Sequence, residues 1–133
     1  MIHKVLAPYA DHAYALLRIV AGLLFLCHGL QKLFGVLGGK QPEVGSQHWI
    51  GGIIELGAGT LIALGLQASW AAFIASGMMA VAYIQFHWRF AMDAGFFPIV
   101  NKGELALLYC FLFLFIACRG AGRWSLDSRI RRF

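Results

Sequence analysis

The stretch LCHGLQKLFG, residues 26–35, places three polar side chains at the end of the apolar run 16–26. His28, Gln31 and Lys32 supply an imidazole, an amide and an ammonium group, which donate hydrogen bonds or exchange protons. Polar groups in apolar surroundings are costly unless they have partners. These three residues are therefore candidates for a binding site.

Further amide and ionisable side chains occur along the chain, and they are Glu55, Gln85, His87, Asn101 and Glu104. Carboxylates can pair with Lys32 or transfer protons. Gly51, Glu55 and Gly59 follow one another at i, i+4 and i+8, so one helical face would carry the carboxylate and two glycines that permit close helix approach. Because a lipid-facing carboxylate is expensive, we expect Glu55 to face protein.

Each of these residues also has a simpler interpretation. Lys32 can extend to the membrane interface instead of pairing with Glu55 or Glu104. His28 can donate to a backbone carbonyl, and His87 can be an interfacial side chain. Glu104 can interact only with the dipole at a helix N-terminus. For Glu55, the position deep in an apolar segment favours a buried ion pair or a hydrogen-bonded site. That site is either structural or catalytic.

The composition indicates which kind of secondary structure holds these residues in place. Of 133 residues, 60% are hydrophobic and only 13% are charged, which is too apolar for an ordinary soluble domain. About 20 apolar residues are needed to cross a membrane as a helix. We predict an all-α, integral membrane, antiparallel four-helix bundle that forms a single domain, 1–133. Its helices are expected at about 14–34, 49–66, 69–88 and 103–118, followed by a basic tail, 119–133.

Antiparallel helices bring the polar residues into one layer, in the leaflet away from the chain termini. The terminal side would carry Lys4, Arg18, Arg119, Arg123, Arg129, Arg131 and Arg132, and the opposite side Lys32, Lys40, Arg89 and Lys102. This excess predicts that both termini are cytoplasmic. The basic tail directly follows a spanning segment, which favours contact with anionic membrane lipid and not with nucleic acid.

Three sequence blocks carry a family resemblance: RIVAGLLFLCHGLQKLFG, GGIIELGAGTLIALGLQASWAA and GFFPIVNKGELALLYCFLFLFIACRGAGRWSLD. Together, over about 17–127, they resemble the DoxX family of small four-helix bacterial membrane proteins. The family's patterned polar residues correspond to His28, Lys32, Glu55, Asn101 and Glu104. Two features depart from the pattern: Lys102 stands where glycine is usual, and 67–69 lacks the arginine common after the Gly-Leu pair.

The resemblance implies a bacterial inner-membrane protein linked to quinone redox metabolism, because the family is related to membrane subunits of thiosulfate:quinone oxidoreductase. We expect quinone or quinol to bind in the polar layer. His28, Lys32, Gln31, Gln85, His87 and Asn101 are the predicted cofactor-binding residues, and Glu55 and Glu104 are the predicted catalytic, proton-transferring residues. The sequence contains no flavin or nicotinamide motif, so the electron donor would be a redox partner protein or a small reductant.

Two alternatives remain open. The protein can be a non-enzymatic scaffold or assembly factor whose buried ion pairs only specify helix packing. Alternatively, His28 and His87 can ligate a haem or metal ion, helped by Glu55 or Glu104. The many helix glycines also favour a homo-oligomer.

Overall fold

The computed structural model describes residues 1–131; Arg132 and Phe133, the end of the predicted basic tail, lie outside the described residues. Helix is the only regular structure within 1–131, which confirms the predicted all-α class there. The α-helices are α1 (Ile2–Leu6), α2 (Ala10–Phe34), α3 (Gln47–Leu64), α4 (Ala68–Ala82), α5 (Pro98–Asn101), α6 (Glu104–Arg119) and α7 (Leu126–Ile130). Ala7–Tyr9 and Ala94–Phe96 are 3₁₀ turns, and Tyr83–Trp88 is a π-helix that continues α4.

The helix ends follow local sequence signals. Ser46 caps α3, because its hydroxyl accepts a hydrogen bond from the Trp49 N–H at 3.2 Å. Gly35 and Gly65 end α2 and α3 with φ of 65° and 68°, a left-handed conformation that glycine adopts without strain. The first long helix begins earlier than predicted, at Ala10, because α1 and the first 3₁₀ turn extend the helical path towards the N-terminus.

Helices α2 and α3 are antiparallel, and their backbones touch. A Cβ atom added to Gly22 would lie 2.8 Å from Gly59 O, and one added to Gly29 would lie 2.8 Å from Gly52 O. The two glycines of each helix are seven residues apart, which is about two turns, so the same contact occurs twice along the helix pair. Only glycine permits this approach at these positions.

The glycine prediction was half right. Gly59 is a close-approach residue, but Gly51 is not, because a Cβ there would meet only Lys32 Nζ, at 3.9 Å. The adjacent Gly52 makes the contact instead, with Lys32 Cβ 2.9 Å from the added atom. A rotation of one residue, about 100° around the helix, separates the two positions.

An aromatic core joins α2 to α6. The Phe25 ring packs edge-on against Phe113 and Tyr109, with centroids 4.8 Å and 5.6 Å apart. Ser76 ties α4 to α6 by donating to Cys110 O at 2.7 Å. The four long helices α2, α3, α4 and α6 therefore pack around shared buried side chains.

Arg18 is fully buried and binds two parts of the chain distant in sequence. Its Nη1 donates to the carbonyls of Ile62 and Ala63 at 2.6 and 2.8 Å, and its Nη2 to those of Arg123 and Trp124 at 3.1 and 2.8 Å. Arg18 thus satisfies carbonyls at the end of α3 and fastens the C-terminal segment. Arg18 lies on the terminal side, as predicted, but it is buried and bonded to backbone carbonyls and is not part of the exposed surface charge.

The C-terminal segment is folded onto the helix ends. Asp127 accepts hydrogen bonds from the backbone N–H groups of Gln67 and Ala68 at 2.9 and 3.2 Å, which caps the start of α4. Its own N–H donates to Gly65 O at 2.9 Å. Up to residue 131, the predicted basic tail therefore packs against the ends of α3 and α4 and is part of the fold.

The start of α2 and the end of α6 lie at this same end of the helices. Asp11, in the first turn of α2, forms an ion pair with Arg119 at the end of α6, and Tyr14 donates to Gly120 O. Two helical stretches, Ile2–Phe34 and Ala68–Trp88, are long and apolar enough to cross a membrane. Large side chains such as Trp70 and Phe111 stay exposed on the outer faces of the helices, as contact with lipid requires.

Candidate functional site

The centre of the site is an ion pair between Lys32, in the last turn of α2, and Glu55, near the middle of α3. Lys32 Nζ lies 2.7 Å from Glu55 Oε1. The Glu55 side chain is 4% exposed, whereas that of Lys32 is 29% exposed. Of the interpretations open for Lys32, the structure shows the one in which it pairs with Glu55 across two helices, and Glu55 faces protein as expected.

One oxygen of Glu55 has no partner. Oε2 is buried, and no donor among the described residues reaches it. Buried polar atoms in folded proteins are nearly always hydrogen-bonded, and leaving one unpaired is costly. The carboxylate can therefore accept a further hydrogen bond from a bound molecule while Lys32 balances its charge.

A cavity of about 440 Å³ adjoins this pair, and we refer to it as the polar cavity. It lies between α2, α3, α4 and α6 at the end away from the chain termini, which is the predicted polar layer. Its polar lining consists of His28, Lys32, Gln47, His48, Glu55, His87, Lys102 and Tyr109, and its apolar lining includes Phe25, Met78, Met79, Phe86 and Leu105. Small-molecule sites commonly occupy about 300–1,000 Å³ and combine apolar walls with a few polar groups.

His87 is held in one orientation by the loop that precedes α6. Its Nδ1 lies 3.2 Å from Asn101 O, and a carbonyl oxygen can only accept, so Nδ1 carries a proton. In the neutral ring, Nε2 is then an acceptor. The ring also stacks on Tyr83, with centroids 6.5 Å apart, and both residues belong to the π-helix Tyr83–Trp88. Short π-helical segments are frequent at functional sites.

His28 and Tyr109 line the cavity and contact each other. The His28 ring meets Tyr109 edge-on at 6.4 Å, and within 1–131 neither ring nitrogen has a hydrogen-bond partner. Tyr109 is 5% exposed, and it stacks on Phe113 with an interplanar angle of 3°. Its hydroxyl has no hydrogen-bond partner in the part of the chain that the structure describes.

Three predicted binding residues lie outside the cavity lining. Gln31 donates to Leu37 O at 2.9 Å, because the chain turns back over the end of α2. Gln85 accepts a hydrogen bond from Gln47, which links the start of α3 to the π-helix. The third, Asn101, is the last residue of α5, and its side chain already has protein partners. Its amide nitrogen donates to Gly95 O at 2.9 Å, and its amide oxygen accepts from the Gly103 N–H at 2.8 Å.

Glu104 is exposed and does not line the cavity, so the structure does not bring it to Lys32 and Glu55. The rotation of α6 explains its position. A Cβ at Gly103 would lie 2.6 Å from the Tyr83 ring, so this glycine lies directly against the π-helix. The cavity then receives Ala106 and Tyr109 of α6 instead.

Tyr109, His48 and Lys102 are lining residues that the sequence interpretation missed. Tyr109 lies within an apolar run with no polar neighbours to indicate its face, although it carries the sole hydroxyl of α6. His48 and Lys102 each lie one residue before the start of a predicted helix, 49–66 and 103–118. Their place in the cavity depends on how four helices meet, which local sequence does not reveal.

No group of three or more His, Cys, Asp or Glu side chains suited to a metal ion occurs within residues 1–131. His28 and His87 both line the cavity, which is the pair proposed for haem ligation. Haem binding stays a prediction.

The family model described as DoxX matches residues 13–88. An uncharacterized protein of Haemophilus influenzae is 39% identical over 128 residues, which cover 93% of this chain and 95% of that protein. An uncharacterized membrane protein of Mycobacterium tuberculosis is 30% identical over 132 residues, which cover 87% of this chain and 80% of that protein. No solved structure matches. The chain belongs to the DoxX family of membrane proteins.

Proposed function

We propose that this protein binds the head group of a quinone or quinol in the polar cavity and serves as the membrane subunit of a quinone-linked oxidoreductase. The observation that carries the proposal is the unpaired Oε2 of Glu55, buried beside Lys32 in a cavity with apolar walls. A quinone head group needs hydrogen-bonding and proton-exchanging groups next to an apolar path for its tail.

The proposed setting is the bacterial inner membrane, crossed four times. At 1.5 Å per residue, the 18 residues of α3 span about 27 Å, close to the hydrocarbon thickness of about 30 Å. The contact between Asp11 and Arg119 favours an even number of crossings. Seven Lys and Arg residues on the terminal side oppose four on the other side, which supports cytoplasmic termini.

The residues divide the chemical tasks. Lys32 pairs with Oε1 of Glu55, and Oε2 can accept a hydrogen bond from a ligand hydroxyl. His28 and Tyr109 offer donors for a carbonyl oxygen, and Nε2 of His87 offers an acceptor. A quinone becomes a quinol by taking up two electrons and two protons. The electrons would come from a partner protein or small reductant, while Glu55 and His87 are placed to exchange protons.

The test is a binding titration with the purified protein in nanodiscs. Tryptophan quenching by a short-chain quinone, and quinol fluorescence, should both saturate, and organic extraction should recover quinone from protein purified out of cell membranes. Glu55→Gln should weaken quinol binding about tenfold or more, because the charge-assisted acceptor for a quinol hydroxyl is lost. The matched control, Glu43→Gln in the exposed loop, should bind as the wild type does. Absence of saturable binding to the wild-type protein would refute the proposal.

A second candidate function rests on the same ion pair. Lys32 and Glu55 connect α2 to α3, so the pair can specify helix packing in a non-enzymatic scaffold or assembly factor. In that case Glu55→Gln lowers thermal stability or abundance and leaves redox flux per molecule unchanged. Measuring both quantities on the same membrane preparations separates the two functions. Partner proteins and self-association remain predictions in either case.

A further inference from the structure

The polar cavity contains a second lysine whose charge is not balanced. Lys32 is neutralised by Glu55, which is the one carboxylate that lines the cavity within the described residues. Lys102 lines the cavity too, and it forms no ion pair within 1–131, although Glu104 is two residues away. The remaining ionisable lining groups are the imidazoles of His28, His48 and His87 and the phenol of Tyr109. The cavity therefore has an excess of positive charge.

The backbone does not explain a lysine at this position. Lys102 has φ 61° and ψ 23°, a left-handed conformation that strains any residue with a Cβ. It ends the short helix α5, a place where glycine would fit without strain. Residues kept in strained conformations concentrate at functional sites, and here the strained residue is an exposed lysine that lines the cavity.

The rim of the cavity strengthens the effect of this charge. Val81, Phe86 and Leu105 are exposed apolar side chains that also line the cavity. In the proposed four-span arrangement these side chains face lipid, so little water surrounds them. Low-dielectric walls concentrate the field of a charge at the mouth of a cleft. A ligand that enters past these side chains therefore meets a net positive site.

We infer that the polar cavity selects amphiphilic ligands with an anionic head group, and that Lys102 determines this selectivity. The inference rests on the proposed function, because it names the class of quinone that the cavity prefers: one with an acidic ring substituent that is ionised at neutral pH. The anionic substituent pairs with Lys102, while the ring carbonyls use His28 and Tyr109 and leave the Lys32–Glu55 pair intact.

The experiment compares two probes that differ by one charge. They are a hydroxynaphthoquinone whose ring hydroxyl is ionised at neutral pH and its neutral methyl ether. Binding is measured by tryptophan quenching in nanodiscs of uncharged phosphatidylcholine, which removes any contribution of lipid charge. The wild-type protein should bind the anionic probe about fivefold tighter than the ether, and the ratio should fall towards one at high salt.

Variants at the same position separate charge from structure. Lys102→Gln and Lys102→Gly should remove the preference, and Lys102→Gly also relieves the backbone strain, so folding is not compromised. Lys102→Arg should retain the preference. The control is Lys40→Gln, an exposed lysine in the loop between α2 and α3, which should leave the ratio unchanged.

The outcomes distinguish this inference from the function on which it rests. Equal affinity of the wild type for both probes, or an unchanged ratio in Lys102→Gln, overturns the inference while quinone binding stands. If neither probe binds, the inference and the proposed function are both refuted. A preference that disappears in Lys102→Gln and persists in Lys102→Arg supports the assignment of Lys102.

Discussion

The contact between α2 and α3 can be tested with two alanine substitutions on one helix. Gly59 and Gly57 both lie in α3, two residues apart. A Cβ at Gly59 would lie 2.5 Å from Leu26 N and 2.8 Å from Gly22 O, whereas one at Gly57 would meet nothing within 4 Å. The two substitutions therefore add the same methyl group, once against a neighbouring backbone and once against open surroundings.

The magnitude follows from these distances. Ordinary contacts of a Cβ begin near 3.4 Å, so Gly59→Ala must separate the helices by about 1 Å. Such overpacking costs about 1–3 kcal/mol, partly offset by up to about 1 kcal/mol because alanine favours helix over glycine. The separation also stretches the Lys32–Glu55 contact, now 2.7 Å. Gly57→Ala gains the helix preference without the clash.

The assay is thermal unfolding in detergent, followed by tryptophan fluorescence. We expect Gly59→Ala to lower the apparent Tm by about 5 °C and Gly57→Ala to leave it unchanged or raise it. Quinone affinity should also fall in Gly59→Ala, because the ion pair moves. If the two variants shift Tm equally and in the same direction, the helices do not touch at Gly59, and the account of the packing is wrong.

Three further predictions concern other named contacts. Arg18→Met should destabilise the protein by about 3–5 kcal/mol in chemical denaturation, because four carbonyls lose a charged donor; Arg129→Met, on the exposed tail, should have little effect. Asp127→Ala should cost about 1 kcal/mol and expose the C-terminal segment to faster proteolysis, whereas an unchanged cleavage rate would contradict its capping role. Tyr109→Phe should weaken quinone binding several-fold without lowering Tm, because its hydroxyl has no described protein partner. The control Tyr14→Phe should lower Tm and leave binding intact, because Tyr14 bonds Gly120 O.

Features governed by neighbouring residues could be predicted from the sequence. The glycines at 35 and 65 end their helices in left-handed turns, and the apolar segments gave the approximate limits of α2, α3 and α6. The sequence limited the partner of Lys32 to Glu55, Glu104 or the membrane interface, because antiparallel helices bring these charges to one level. Charge in such surroundings leaves few arrangements.

Features that depend on helix rotation or on distant segments could not be predicted. An error of one residue exchanged Gly52 for Gly51, and α6 is so uniformly apolar that its inward face was unknown, which misplaced Glu104. Arg18 reaches Trp124, a carbonyl 106 residues away along the chain. The residues next to Arg18 in the sequence do not indicate whether its guanidinium contacts a distant carbonyl, lipid or water. The role of Asp127 was hidden for the same reason.

The central claim is that ionisable side chains from separate helices enclose a ligand site within the membrane. An experimental density map of the protein, purified from cell membranes in lipid nanodiscs with added quinol under reducing conditions, tests it most directly. We predict ring-shaped density within hydrogen-bonding distance of Glu55 Oε2 and the Tyr109 hydroxyl, with the Lys32–Glu55 pair intact. A map in which Glu55 points towards lipid, or in which side chains fill the space between Glu55 and Tyr109, would contradict it.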